Sequence, residues 1–131
     1  MFTGIVQAFM DVHDIDHGAD LSRLTLKMGP LGDGLQLGAS VAVNGTCLTV
    51  TQHDDYSTYF DIIKETLDTT NLGQLGSSSR VNVERSFKVG DEVGGHVVSG
   101  HVSTTAELVE LHHRGNERVL TFKVDPKWQN Y

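Results

Sequence analysis

The most reactive side chain in this sequence is the thiol of its single cysteine, Cys47. In a strand through residues 46–51, alternation puts Leu48 and Val50 on one face and Cys47 and Thr49 on the other. An isolated buried cysteine usually accompanies apolar residues, so a position beside hydroxyl groups is informative. Two interpretations stay open: a small packing residue, or a thiol that lines a polar ligand groove.

A second candidate lies in residues 94–101, where His96 and His101 stand among three glycines. A strand would turn these histidines to opposite faces, and neither Cys47 nor the pair at 112–113 completes a zinc spacing. We therefore predict no metal site. The segment is either a flexible connector, or a stretch whose glycines let the backbone approach a planar ligand while one imidazole works near neutral pH.

A third candidate is the polar stretch 64–73, which follows a predicted strand directly. Lys64 and Asp68 have the i,i+4 spacing of a solvated helical pair. Glu65 and Thr66 lie where the strand ends and the helix begins, a common place for ligand contacts.

The elements that position these residues are mostly strands. Asn44-Gly45, between two β-branched runs in residues 39–52, is the strongest short hairpin signal. The other predicted strands are 4–8, 11–17, 21–28, 56–62 and 80–85, and one helix is predicted from Lys64 to Asn71, before Gly73. This pattern predicts an all-β fold, a six-stranded Greek-key closed barrel with a short helix.

The chain also contains an internal repeat. Residues 99–124 align with residues 3–28 without a gap, at a constant offset of 96, and Gly4, Val6 and His17 are identical to their counterparts. That spacing is the size of a small domain. We predict a first barrel in residues 1–96 and an incomplete start of a second barrel in residues 97–131, a tandem repeat truncated at the C-terminus.

Composition narrows the class of protein. A net charge of −7 argues against a nucleic-acid partner, and no apolar run approaches the ~20 residues of a membrane span. Residues 1–4 show neither the basic nor the apolar region of a secretion signal, so we expect none, and a single cysteine fits a reducing compartment. We expect a cytoplasmic protein that contacts neither nucleic acid nor membrane.

Taken together, these segments resemble riboflavin synthase over the whole chain. The matching motifs are Met1 to Val6, Gly38 to Val50, Phe60 to Leu67, Thr70 to Gly73, Val81 to Arg85 and Gly94 to Val102. The resemblance implies two similar barrels in tandem. It also implies conversion of two molecules of 6,7-dimethyl-8-ribityllumazine into riboflavin and 5-amino-6-ribitylamino-2,4-pyrimidinedione, without a metal or cofactor.

The resemblance further implies which residues act. Phe2, Ser40, Cys47 and His101 match positions that the family associates with catalysis, with His101 as a proton shuttle and Cys47 and Ser40 as groups that position or activate a nucleophile. The implied substrate-binding residues are Gly4, Ile5, Val6, Cys47, Leu48, Thr49, Asp61, Ile62, Ile63, Lys64, Glu65, Thr66, Gly100, His101 and Val102. How the catalytic roles divide among them is left open.

Assembly also follows from the resemblance. The family's site forms between barrels of different subunits in a homotrimer, so we expect this 131-residue form to bind ligand with little or no turnover. Its unpaired strand edges predict a homodimer. The alternative is a carrier of the same fold, like the luminescence accessory proteins, which binds lumazine or flavin without catalysis. Such carriers look eroded at the catalytic positions, whereas Ser40, Cys47 and His101 are present here.

Overall fold

Six antiparallel strands close into a barrel in the computed structural model, which describes residues 1–129. The strands are β1 (Ala8–His17), β2 (Leu21–Leu26), β3 (Ser40–Val43), β4 (Thr46–His53), β5 (Thr58–Ile63) and β6 (Arg80–Arg85). Their order around the barrel is β1-β2-β5-β4-β3-β6, and β1 closes it by pairing with both β2 and β6. One α-helix, α1 (Lys64–Thr69), follows β5 directly. The predicted closed barrel with a short helix is confirmed.

The inner faces of the strands supply the core through the two-residue alternation seen in the sequence. In β4, Leu48 and Val50 are buried whereas Thr49 and Thr51 are exposed. The fully buried side chains include Phe60 and Leu24, and burying one such side chain contributes roughly 1.5–3 kcal/mol. The barrel interior is therefore a packed core, and ligand chemistry is left to the outer surface and the barrel ends.

The predicted hairpin turn has the expected backbone. Asn44 and Gly45 both have positive φ, 48° and 79°, as a two-residue type I′ turn requires. The Asn44 side chain also accepts a hydrogen bond from the Asn82 backbone N–H at 2.9 Å. The turn that joins β3 to β4 is thus fastened to the neighbouring strand β6.

Several predicted boundaries are wrong. Residues 4–7 form no strand, and β1 runs without a break from Ala8 through the predicted strand 11–17. The reason is that Gly4 has a φ of +79° and the loop around it is held by a side chain of β6 instead of by a strand ladder. The helix ends at Thr69 because Thr70 is extended, and a 3-10 turn, Asn71–Gln74, continues the chain.

Beyond the barrel, β7 (Glu107–Arg114) and β8 (Glu117–Lys123) form a separate two-stranded sheet. Their register repeats that of β1 and β2 at the offset of 96: Leu108 pairs with Phe122 as Val12 pairs with Leu26. The irregularity between Val12 and Asp14 also recurs, between Leu108 and Glu110. The sequence repeat is therefore a structural repeat of the first hairpin.

The two hairpins differ in burial. Val12 and Leu26 are 2% and 0% exposed, whereas their counterparts Leu108 and Phe122 are 48% and 56% exposed. The division into barrels at residues 1–96 and 97–131 stays a prediction, and its last two residues, Asn130 and Tyr131, lie outside the described part of the chain.

Candidate functional site

Three residues form a row across the outer surface of the barrel. Ala42 on β3 is paired with Glu84 on β6 and with Cys47 on β4, and paired residues of antiparallel strands point to the same face. Although this face is the outer one, Glu84 and Ala42 are only 7% and 3% exposed. Another part of the chain therefore covers the row.

The cover consists of the N-terminus and residues 96–102, which we call the crossing segment. Phe2 and Val98 exchange two backbone hydrogen bonds of 2.9 Å, and His96 donates its N–H to the carbonyl of Thr3 at 3.0 Å. Cys47 donates its backbone N–H to the carbonyl of Gly100 at 2.8 Å. The crossing segment is thus fixed both to the N-terminus and to the strand that carries the thiol.

Gly100 allows this close approach. A Cβ atom at this position would lie 2.9 Å from the Cys47 Cβ and 2.9 Å from the Phe2 Cε2. Gly100 also has a φ of +77°, a conformation that side chains with a Cβ rarely adopt. Glycine is required here on both counts, which favours close backbone contact over a flexible connector.

A pocket of about 240 Å³ opens beside this contact. It is bounded by the start of β4, the junction between β5 and α1, and the end of the crossing segment. The lining residues are Thr46, Cys47, Ile63, Glu65, Thr66, Thr69, Thr70, Gly100, His101 and Val102. Three segments distant in sequence, each a candidate from its residue types, therefore meet at one place.

The lining combines apolar and polar groups. Ile63 and Val102 offer aliphatic contact, while Cys47, Glu65 and His101 offer a thiol, a carboxylate and an imidazole. Small-molecule sites commonly have such apolar walls with a few convergent polar groups. Within residues 1–129, no three histidine, cysteine or acidic side chains are grouped so as to hold a metal ion.

Seven of the predicted site residues line this pocket: Cys47, Ile63, Glu65, Thr66, Gly100, His101 and Val102. Leu48 and Ile62 do not, because the strand alternation turns them into the core, where they are 5% and 1% exposed. Phe2 is buried behind Gly100, so its ring supports the pocket from behind.

Two other predicted residues lie along the strands that lead away from the pocket. Ser40 and Thr49 are paired with each other on β3 and β4. Ser40 borders a different hollow together with Arg85 and Lys88. The structure therefore separates the Ser40 hydroxyl from the hollow that holds His101.

Two more predicted residues, Asp61 and Lys64, form ion pairs with charged neighbours. Asp61 forms an ion pair with Arg23 at 2.7 Å, and the hydrogen bond from that guanidinium lowers the pKa of the Asp61 carboxyl. Lys64 pairs with Asp68 at 2.7 Å and borders a separate groove of about 400 Å³ that also contains His17. The i,i+4 pairing predicted for Lys64 is present.

Gly4, Ile5 and Val6 are also absent from the pocket lining. Ile5 instead borders a hollow with Glu84 and Gly94 on the other side of the N-terminal segment. The physical reason is that the Phe2–Val98 pairing places the crossing segment, and not the N-terminal loop, against Cys47. A binding role for residues 4–6 stays a prediction.

Sequence reasoning missed Glu84. Its carboxylate accepts hydrogen bonds from the N–H of Thr3 at 2.6 Å, the hydroxyl of Thr3 at 2.8 Å and the N–H of Gly4 at 3.1 Å. The sequence offered one indication of this residue: an acid directly follows the valine-rich run of β6, at a strand position. Thr46, Thr69 and Thr70 were missed as well, and nothing in their local pattern separates them from other threonines.

Within residues 1–129, no helix combines the length and the apolar character needed to cross a membrane.

Comparisons with known proteins agree with the fold. A family model described as the lumazine binding domain matches residues 3–86. Riboflavin synthase from Escherichia coli (strain K12) is 46% identical over 125 residues, which are 95% of this chain and 59% of that protein. Riboflavin synthase from Bacillus subtilis (strain 168) is 36% identical over 126 residues, 96% of this chain and 59% of that protein. The chain thus spans about three fifths of these relatives.

A solved structure is similar in its backbone. The crystal structure of LumP complexed with riboflavin matches with a TM-score of 0.87 and 24% identity, over 99% of this chain and 71% of that chain. At that identity the likeness establishes the fold alone. The match of the family model across the six-stranded barrel, with relatives at 36–46% identity, shows that this chain belongs to the lumazine-binding domain family.

Proposed function

We propose that the pocket beside Cys47 binds 6,7-dimethyl-8-ribityllumazine and riboflavin. One observation carries the proposal: Cys47, the Glu65–Thr66 step and the end of the crossing segment come from three separate stretches of sequence and line one hollow. Each stretch lies in a motif that resembles riboflavin synthase. The 46% identity to a curated riboflavin synthase supports the same assignment.

The lining suits a planar heterocycle that carries a polar chain. Ile63 and Val102 can pack against the ring faces, while the hydroxyl of Thr66 and the carboxylate of Glu65 can hydrogen-bond the ring edge or the chain hydroxyls. Because Gly100 has no side chain, its backbone lies against Cys47 and forms part of the pocket wall. Within the part of the chain that the structure describes, the lining contains no lysine or arginine, the side chains that commonly bind a phosphate.

We further propose that the protein acts as a riboflavin synthase. That reaction moves a four-carbon unit between two identical lumazines, yielding riboflavin and the pyrimidinedione. In this proposal His101 moves a proton and Cys47 approaches the bound ring, and both residues line the pocket. The chain spans about three fifths of the curated enzymes. The proposal therefore includes a binding site for the second lumazine, and that site lies outside the pocket described above.

A non-catalytic carrier is the second candidate. Crystal structures of LumP complexed with riboflavin, with the lumazine and with flavin mononucleotide have a fold that matches this one. A carrier would need only the pocket. The thiol and the imidazole in the lining favour the enzyme, because binding alone requires neither group.

Titration of riboflavin with the purified chain tests the binding proposal. We expect a change in flavin fluorescence that saturates, together with a rise in melting temperature, because a ligand at ~100 times its Kd stabilises the native state by about 2.7 kcal/mol. Glu65→Gln should weaken binding, whereas Glu117→Gln, an exposed acid on β8, should leave it unchanged. Unaltered fluorescence and melting temperature at high riboflavin would refute the proposal.

Incubation with the lumazine separates the two candidates. Formation of riboflavin, measured by absorbance, supports the enzyme. Binding without product, in a longer protein that carries both barrels complete, supports the carrier.

A further inference from the structure

Glu84 carries a carboxylate on the outer face of the barrel. Another part of the chain covers this carboxylate. Glu84 is 7% exposed, whereas Arg80 and Asn82 of the same strand are exposed. Burying a carboxylate is costly unless hydrogen bonds satisfy it. Glu84 receives three, and all of them come from Thr3 and Gly4.

These bonds connect Glu84 to the pocket through backbone contacts. Thr3 is joined to Phe2, whose two hydrogen bonds with Val98 position the crossing segment. The carbonyl of Thr3 also accepts the N–H of His96. The crossing segment then reaches Cys47 through the bond from the Cys47 N–H to the Gly100 carbonyl. The pocket wall therefore depends on the crossing segment, and Glu84 is connected to that segment through the N-terminal loop.

We propose that Glu84 is a positioning residue for the pocket: its carboxylate fixes the N-terminal loop, and the loop fixes the crossing segment whose last residues form the pocket wall. Glu84 is not a lining residue of the pocket, so it acts through Thr3, Phe2 and Val98. The effect on ligand affinity rests on the proposed function, whereas the effect on the crossing segment does not.

The test is amide hydrogen exchange on Glu84→Gln, which keeps the side-chain size but presents an NH₂ group where the carboxylate accepts bonds. We expect the Val98 and Cys47 amides to lose about tenfold in protection, the scale of a lost hydrogen bond to a charged group. The Val50 amide, bonded to the Ala39 carbonyl at 2.9 Å in the same strand as Cys47, should keep its protection.

Two variants accompany it. Thr3→Val removes one of the three donors to Glu84 and should reproduce part of the effect, while Thr3→Ser keeps the hydroxyl and should restore protection. Because Glu84 and Thr3 act through the same bond, the double variant should lose less than the sum of the single variants. Asp11→Asn, which removes an exposed acid of β1 paired with Arg80, is the matched control and should change neither amide.

The outcomes are distinct. Selective loss at Val98 and Cys47, with riboflavin affinity about tenfold weaker at a temperature where the barrel stays folded, supports the proposal. Equal loss at Val50 would make Glu84 a general stabiliser of the barrel and overturn it, as would unchanged exchange at Val98 and Cys47. If the unaltered chain binds no riboflavin, the proposed function fails while the exchange data still decide the role of Glu84.

Discussion

Phe2 and Val98 stand at the same offset of 96, each one residue before the aligned copies of the repeat, and they pair with each other. Each donates its backbone N–H to the carbonyl of the other at 2.9 Å, in an isolated antiparallel bridge. The two hydrogen bonds of this pair are thus exchanged between equivalent positions of the two copies. The conformations agree with this, because the equivalent glycines Gly4 and Gly100 have φ values of +79° and +77°.

The surroundings of these two equivalent glycines differ. Gly100, at the start of the second repeat, contacts the first barrel. Within residues 1–129, no atom beyond the chain neighbours of Gly4 lies within 4 Å of the position that a Cβ on Gly4 would take. Among the described residues, close packing against the barrel therefore distinguishes Gly100 from Gly4.

Gly100→Ala and Gly4→Ala form a matched pair of variants. Both should incur the cost of a side chain at positive φ, about 1 kcal/mol or more. Only Gly100→Ala also brings a Cβ within 2.9 Å of Cys47 and Phe2. We expect Gly100→Ala to abolish most riboflavin binding and Gly4→Ala to weaken it much less, as measured by fluorescence titration. Equal affinities would show that the crossing segment does not shape the site.

In a longer protein that carries both barrels complete, Cys47→Ser should reduce turnover far more than ligand binding. Serine is close in size to cysteine, and the contact to Gly100 uses the Cys47 backbone, so the substitution spares the fold. Steady-state rates and riboflavin affinity measured side by side check this. A near-normal rate would leave the thiol a packing role, and a large loss of affinity would make it a binding contact.

The Arg23–Asp61 ion pair predicts a pH effect on stability. The hydrogen bond from Arg23 lowers the pKa of Asp61 in the folded state, against a smaller opposing effect of partial burial. A lowered folded-state pKa contributes stability above the unfolded value of about 3.9 and loses that contribution as the pH falls through the folded pKa.

We therefore expect Asp61→Asn to lower the melting temperature slightly at neutral pH and to have no effect in strong acid. The effect is small because the Arg23 side chain is half exposed. Thermal denaturation of both forms between neutral and acidic pH measures it. A difference that grows on acidification would contradict the assignment.

The hairpin of β7 and β8 predicts self-association of this chain. Leu111, Leu120 and Phe122 are about half exposed, at 48%, 47% and 56%, and open apolar strands of this kind pair with other chains. We expect dimers whose population rises with concentration in light scattering, and Leu111→Glu with Leu120→Lys should reduce them. A chain that stays monomeric at every concentration would remove the basis for the predicted homodimer.

Local pattern alone determined much of this protein. The Asn44-Gly45 turn, the inward side chains of β4 and the short helix after β5 follow from two-residue alternation and turn chemistry, which act over a few neighbouring residues. The repeat was also visible in the sequence, and the register shared by the two hairpins agrees with it. Cys47, Glu65 and His101 could be nominated from residue type and resemblance.

Only the tertiary structure decided which nominated residues meet. Cys47 and His101 are far apart in sequence, and they share a pocket because the Phe2–Val98 bridge brings the crossing segment over β4. In the same packing, Ser40 borders another hollow, and Glu84 is buried under the N-terminal loop. Contacts of this kind depend on how strands are ordered around the barrel, and a pattern confined to neighbouring residues carries no information about that order.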